Sequence, residues 1–171
     1  NRFLPQVASN GMIASPERLA AEAGIDILRR GGNAIDAAVA TGFALAVTYP
    51  RAGNLGGGGF MMIHLAEDQR QTFIDYRETA PAAAHRDMFV GADGKVDRDR
   101  EFFSHQSAGV PGSVAGLIHA LERYGTMSLA QVIAPAIEGL GDRPIRLDVE
   151  GREGNVLLQI EEGIAHADYV I

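Results

Sequence analysis

Residues 33–65 read NAIDAAVATGFALAVTYPRAGNLGGGGFMMIHL, and the order of signals within them decides the fold class. Asn33 is a good helix N-cap, and the apolar residues after it go almost all the way round a helix as far as Val47, so that helix must be covered on most sides. Pro50 ends it. Gly56 to Gly59 then lead into a β-like run, 60–65, and a second run, 72–76, follows the polar turn 66–71, which predicts a hairpin. Phosphate loops and dinucleotide fingerprints place their glycines between a strand and the start of a following helix. Here a helix precedes and a strand follows, and the Lys–Ser/Thr pair of a phosphate loop is missing. The glycine run is read as a tight turn where backbones approach closely.

Outward from this stretch, Ser15 is a natural N-cap with Pro16 at the first helical position, predicting a helix over 16–30 that ends on Arg29-Arg30-Gly31-Gly32. Its small residues Ala20, Ala23 and Gly24 leave a shallow face on which another backbone can lie. Gly109-Val110-Pro111-Gly112 leads to Ser113, expected to cap a helix through about Tyr124, and Ser128-Leu129-Ala130-Gln131 is a capping box for a helix through about Gly139. Residues 87–101 are polar and turn-rich, a solvated excursion. From Gly141 onward, 145–149, 156–160 and 168–171 are short β-like runs. Consecutive helices plus a hairpin, without strict β-α alternation, favour α+β over a doubly wound parallel sheet.

The 171 residues are 46% apolar and 22% charged, the profile of a folding globular chain. There is no cysteine, which removes disulfides, thiolate zinc sites and cysteine nucleophiles. Net charge is −7, with Lys95 the single lysine among 15 basic residues, so nucleic acid is not an expected partner. The longest apolar stretch, 34–49, is interrupted by Asp36 and too short to span a bilayer. The N-terminus shows no basic leader followed by an apolar run and cleavage site.

Most motif matches fail on inspection. His85-Arg86-Asp87 begins like a kinase catalytic loop, but Ala92 stands where the metal-binding Asn belongs. Asp93, Asp97 and Asp99 approach a calcium loop without its central glycine or terminal glutamate in register. The five histidines form no metal-binding spacing, and Ser113 lacks the final glycine of a nucleophile elbow. Neither metal nor cofactor is expected. Arg77 remains, at the end of the second predicted strand beside the glycine-rich loop. Its planar fork suits bidentate capture of a carboxylate, and an ion pair with Asp75 or Glu78 would explain it equally well.

Five blocks in order resemble the γ-glutamyltranspeptidases: Gly31-Gly32-Asn33-Ala34-Ile35-Asp36-Ala37-Ala38-Val39-Ala40; Gly53-Asn54-Leu55 with Gly56 to Gly59 and Phe60-Met61; Tyr76-Arg77-Glu78-Thr79-Ala80-Pro81; Arg86-Asp87-Met88-Phe89; and Gly109-Val110-Pro111-Gly112-Ser113-Val114-Ala115-Gly116. The match runs from about Gly11 to Leu140. The resemblance implies an N-terminal-nucleophile hydrolase with a four-layer αββα sandwich, completed by a second chain. In this family a precursor cuts itself into large and small subunits, and the new N-terminal Thr of the small subunit attacks a γ-glutamyl amide such as that of glutathione. It further implies that Arg77 binds the substrate's α-carboxylate and that the protein is periplasmic or secreted.

The chain resembles the large subunit only. None of Thr41, Thr48, Thr72, Thr79 or Thr126 has the Thr-Thr-His context of the family's nucleophile, so no catalytic residue is assigned and the chain alone should be silent. Residues 1–140 are read as the large-subunit portion and 141–171 as an unassigned β-rich segment. A glutaryl-cephalosporin acylase of the same family, or a fragment that only folds or binds, are the alternative readings.

Overall fold

Two adjacent glycines turn the chain from α1 (Arg18–Arg29) into α2 (Ala34–Thr48). Gly31 takes φ 92°, a left-handed conformation that side chains rarely adopt. Its N–H donates to the Leu28 carbonyl, and that of Gly32 to the Ile27 carbonyl, both at 3.0 Å, closing the end of α1. The start of α1 differs from expectation. Glu17, not Ser15, is the N-cap: its carboxylate accepts from Ala20 N–H at 2.8 Å, while the Ser15 hydroxyl reaches only the Glu17 N–H at 3.4 Å. A charged acceptor with longer reach wins over the hydroxyl, and the helix begins two residues later than Pro16.

The computed structural model describes residues 6–138 and the backbone of two short strands, β3 (Ile145–Leu147) and β4 (Val156–Leu158). The chain divides into two units, Asn1–Asn54 with Leu117–Ile171, and Leu55–Gly116. In the first, α1 lies on α2, and α5 (Leu129–Glu138) packs against both. Ala20, Ala23 and Ile27 of α1 are buried with Ala37, Val39, Ala40, Phe43 and Ala44 of α2. The small face of α1 serves as its sequence implies: a Cβ on Gly24 would run into the Thr41 hydroxyl, so the two helices touch nearly backbone to backbone. Only Ala34 and Ala38 of α2 are exposed.

Asn33 opens α2 with a complete capping box. Its Oδ1 accepts from Ile35 and Asp36 N–H at 2.8 and 3.0 Å, and Asp36 Oδ2 returns to Asn33 N–H at 2.7 Å. The Asp36 carboxylate is fully buried and does more than cap. It also accepts from the Thr126 hydroxyl (2.7 Å), Thr126 N–H (2.9 Å) and Met127 N–H (3.1 Å), in the turn between α4 (Ser113–Tyr124) and α5. The Asn33 amide adds a bond to the Tyr124 carbonyl at 2.7 Å. The expected capping box of α5 is present, with Ser128 N–H donating to Gln131 Oε1 at 3.0 Å and Gln131 N–H to the Ser128 hydroxyl at 3.4 Å.

In the second unit β1 (Phe60–Leu65) and β2 (Arg70–Asp75) form an antiparallel hairpin in register from Phe60↔Asp75 to Leu65↔Arg70. Residues 87–101 are more ordered than expected: Val90 bridges Val96 around Asp93-Gly94, and Asp97 caps α3 (Arg98–Phe103), accepting Arg100 N–H at 3.1 Å. Six residues are too few for a periodic signal. β3 pairs antiparallel with β4 inside two of the three C-terminal runs, while 168–171 lies outside the described residues. The architecture is α+β, with every strand pair among the described residues antiparallel.

Burial alone would raise the pKa of Asp36, but the Thr126 hydroxyl and the Asn33, Thr126 and Met127 amides outweigh it and hold the carboxyl below its ordinary value. Its contribution to stability is therefore complete above the unfolded carboxyl's pKa of about 4 and lost as pH falls through the lower folded value. Asp36→Asn turns an N–H pair toward N–H donors and should destabilise the full-length protein by about 2–4 kcal/mol at neutral pH. Thermal unfolding from pH 7 to 3 should show the gap to the unsubstituted protein narrowing at the acid end; a constant gap would refute this account.

Candidate functional site

Arg77 follows β2 by two residues, and backbone holds the chain around it. Tyr76 extends the hairpin by one pair, its N–H donating to the Gly59 carbonyl at 3.0 Å and its carbonyl accepting from Gly59 N–H at 3.3 Å. Arg77 N–H then turns back to Asp75 Oδ1 at 3.0 Å, an Asx turn that ends the strand. Thr79 and Val110 exchange N–H···O bonds of 3.2 and 2.8 Å. The Gly57 carbonyl accepts from both Gly112 and Ser113 N–H at 2.9 Å, at the start of α4. Ser113 is thus the first residue of α4 rather than its cap, and the Gly57 carbonyl anchors the entry to that helix through the main chain.

The glycines are required by contact. A Cβ on Gly58 would lie 2.6 Å from the Tyr76 carbonyl and 2.9 Å from Arg77 Cα. On Gly112 it would strike the Tyr76 carbonyl and on Gly116 the Tyr76 ring, both well inside 3.0 Å, and on Gly109 it would come 3.0 Å from Glu78 Cβ. The glycine-rich loop is a packing surface for residues 76–78, as its position before a strand implied. Burial pushes the Tyr76 phenol above its ordinary pKa, so it stays protonated and places no charge beside Arg77 at neutral pH.

The Arg77 side chain is 63% exposed. Nε donates to Glu78 Oε2 at 3.3 Å, and Cζ lies over the Phe60 ring, 5.8 Å from its centroid. Neither Nη atom has an acceptor among the described residues. An exposed ion pair between neighbours in sequence is worth at most about 1 kcal/mol, too little to explain a guanidinium mounted on so constrained a segment. The free pair of Nη donors can take a planar anion end-on. Glu78 is one of the two ion-pair partners the sequence offered, whereas Phe60 as a neighbour of the fork was not singled out; the strand period that sets Phe60 opposite Asp75 was the available signal.

The other candidates are accounted for locally. Asp93 Oδ1 accepts Lys95 N–H at 3.1 Å and Asp97 caps α3, so both carboxylates serve turns. Arg86 and Asp87 form an exposed pair at 3.8 Å. In the other unit a cleft of about 350 Å3, lined by Leu19, Asp26, Arg30, Thr48 and Pro135 among others, has its Arg30 charge paired to Asp26 at 2.6 Å, and the Thr48 hydroxyl donates to the Ala44 carbonyl at 3.0 Å.

A profile of the family described as gamma-glutamyltranspeptidase matches residues 20–142. The glutathione hydrolase proenzyme of Escherichia coli (strain K12) is 53% identical over 136 residues, which are 80% of this chain and 23% of that protein. The acylase ACY 1 proenzyme of Pseudomonas sp. (strain V22) is 43% identical over 145 residues, 81% of this chain and 26% of that protein. Among solved structures, Helicobacter pylori γ-glutamyltranspeptidase superposes with a TM-score of 0.76 at 45% identity, over 84% of this chain and 40% of that one. The chain thus spans about a quarter of the length of the relatives it matches.

Because the Tyr76 carbonyl that faces Gly112 cannot retreat without breaking its pair with Gly59, and the part of Tyr76 that faces Gly116 is Cβ and the root of the ring rather than a flexible end, Gly112→Ala and Gly116→Ala should each lower the stability of the full-length protein by about 1–3 kcal/mol. Gly91→Ala meets chiefly the movable Asp93 carboxylate at 3.1 Å and should stay within about 0.5 kcal/mol. Chemical denaturation of the three variants checks this, and equal behaviour of all three contradicts it.

Proposed function

Because this chain belongs to the γ-glutamyltranspeptidase family, we propose that it is large-subunit sequence of an enzyme that transfers or hydrolyses γ-glutamyl groups, with glutathione as the expected donor. The reaction is acyl transfer. A Thr hydroxyl at the start of a small subunit, produced by self-cleavage of a precursor, adds to the γ-carbonyl. The amine leaves, taking a proton, and a γ-glutamyl ester remains on the Thr oxygen until water or an acceptor amine breaks it. The small subunit's own terminal amine is the base, and backbone amides stabilise the oxyanion. Residues 1–140 supply the large-subunit portion, and 141–171 are assigned no part in it.

Arg77 binds the donor's α-carboxylate in this reading. The observation that carries it is the fork itself: Glu78 occupies Nε, both Nη atoms are left without an acceptor among the described residues, and the segment bearing them is clamped by glycines. A glutaryl donor also ends in a carboxylate but lacks the α-ammonium, so Arg77 would serve both substrates. The 43% identity to an acylase makes that second reading concrete. Turnover of a γ-glutamyl anilide against a glutaryl-β-lactam by the full-length enzyme separates them, and activity on neither leaves the non-catalytic alternative.

A four-layer sandwich completed by the small subunit accords with the hairpin's surfaces. Cross-strand partners share a face, so Phe60, Met62 and Phe73 lie together, 53%, 75% and 55% exposed, while Ile63 on the opposite face is buried. A two-stranded hairpin with apolar residues on both faces is not stable alone. Residues 1–171 expressed by themselves should therefore aggregate or bind a hydrophobic dye. A monodisperse monomer with cooperative unfolding and no bound dye would overturn the partner.

Removing one member of a buried, charge-assisted pair typically costs about 2–5 kcal/mol, so Arg77→Ala should raise KM for the donor by at least about 30-fold. Arg77→Lys keeps the charge without the planar fork and should recover only part. The melting temperature should hardly move, since the Glu78 contact is exposed. A fall in melting temperature with unchanged KM in Arg77→Ala returns the residue to a structural role.

A further inference from the structure

The aromatic ring beneath Arg77 is as firmly placed as the arginine. Phe60 stacks on Phe73, with ring centroids 5.6 Å apart and planes at 21°. It pairs across the hairpin with Asp75, whose carboxylate fixes the Arg77 N–H. Phe60 also directly follows Gly58 and Gly59, the glycines against which residues 76 and 77 lie. Ring and guanidinium are thus built on the same end of one hairpin, with Cζ 5.8 Å from the ring centroid.

A cation over an aromatic face is attracted by the ring's quadrupole, and the attraction strengthens when water is excluded. It also acts on geometry. An arginine side chain carries much rotamer freedom, and a ligand that must first order it binds more weakly than one that finds it ordered. With the ring on one side and Glu78 at Nε, the guanidinium is met from two directions, and the Nη edge is the one left open.

We propose that Phe60 is a positioning residue for donor binding: its ring orients the Arg77 guanidinium so that both Nη atoms are presented to the substrate's carboxylate. This rests on Arg77 being the carboxylate-binding residue. Phe60 acts through Arg77, so its effect belongs to KM rather than to the chemical step.

The test uses the full-length enzyme and γ-glutamyl p-nitroanilide. Phe60→Leu, which keeps an apolar side chain and removes the π face, should raise KM about 3- to 10-fold with kcat within about twofold. Phe60→Tyr should restore the unsubstituted KM. Turnover of 4-aminobutyryl p-nitroanilide, which lacks the α-carboxylate, should be the same in both variants, and Phe60→Leu should add nothing in an Arg77→Ala background. If Phe60→Leu does not assemble, increasingly fluorinated phenylalanine at position 60 retains the shape while weakening the ring face, and KM should climb with fluorination. A KM unchanged by Phe60→Leu or by fluorination, while Arg77→Ala raises it, sinks the positioning role alone. A KM unchanged by Arg77→Ala removes the premise as well.

Discussion

A buried carboxylate that accepts four hydrogen bonds ties together parts of the first unit that are distant in sequence. Asp36 belongs to the capping box of α2, yet most of its bonding capacity goes to Thr126 and Met127, some ninety residues on. The two turns that meet at it are shaped for the purpose. Gly32 lies 3.1 Å from Asp36 Cβ by the Cβ it lacks, and Gly125 likewise 2.6 Å from Asp36 Oδ1. A side chain at Gly125 would displace the carboxylate, and one at Gly32 would first crowd Ile27 and Met127 beside it. The order of α1, α2 and α5 around one core therefore depends on a charge that burial opposes and hydrogen bonds retain.

The second unit solves a different problem with the same residue type. A guanidinium useful for binding must be exposed, and exposed side chains wander. Here the backbone is fixed by pairing with Gly59 and by the Asx turn on Asp75, and the side chain, though exposed, is met by Glu78 at Nε and by the Phe60 ring. Glycines bring three stretches of chain so near that residues 76–78 have little room to shift. Rigidity is supplied by main chain, and chemistry by one side chain.

Much of this was legible because it is local. The N-cap at Asn33, the capping box at Ser128, the small face of α1 and the hairpin follow from residues within a few positions of one another. The loop's role was legible from element order, which excluded phosphate and left close packing. One error was local, for at Ser15 a hydroxyl was preferred to a carboxylate two residues on; the other was not, for Ser113 was expected to cap α4 and is instead its first residue, its N–H held by the Gly57 carbonyl from a distant loop. No composition or period could have supplied that carbonyl. The site was half legible. Arg77 stood out by its place at a strand end and Glu78 by its place beside it, but which guanidinium nitrogen the pair takes, and Phe60 as a further neighbour, became visible only in the structure.

The glycines around Tyr76 have a consequence for inheritance. Every single-nucleotide change to a glycine codon that yields another amino acid yields one with a Cβ, and alanine is the mildest. At Gly58, Gly112 and Gly116 that first added carbon already meets main chain or an aromatic ring. These codons have no gentle neighbour to drift through. Variation among descendants of this gene should gather at the hairpin turn and the exposed excursion after Asp87, while the cradle around Arg77 passes on unaltered or fails.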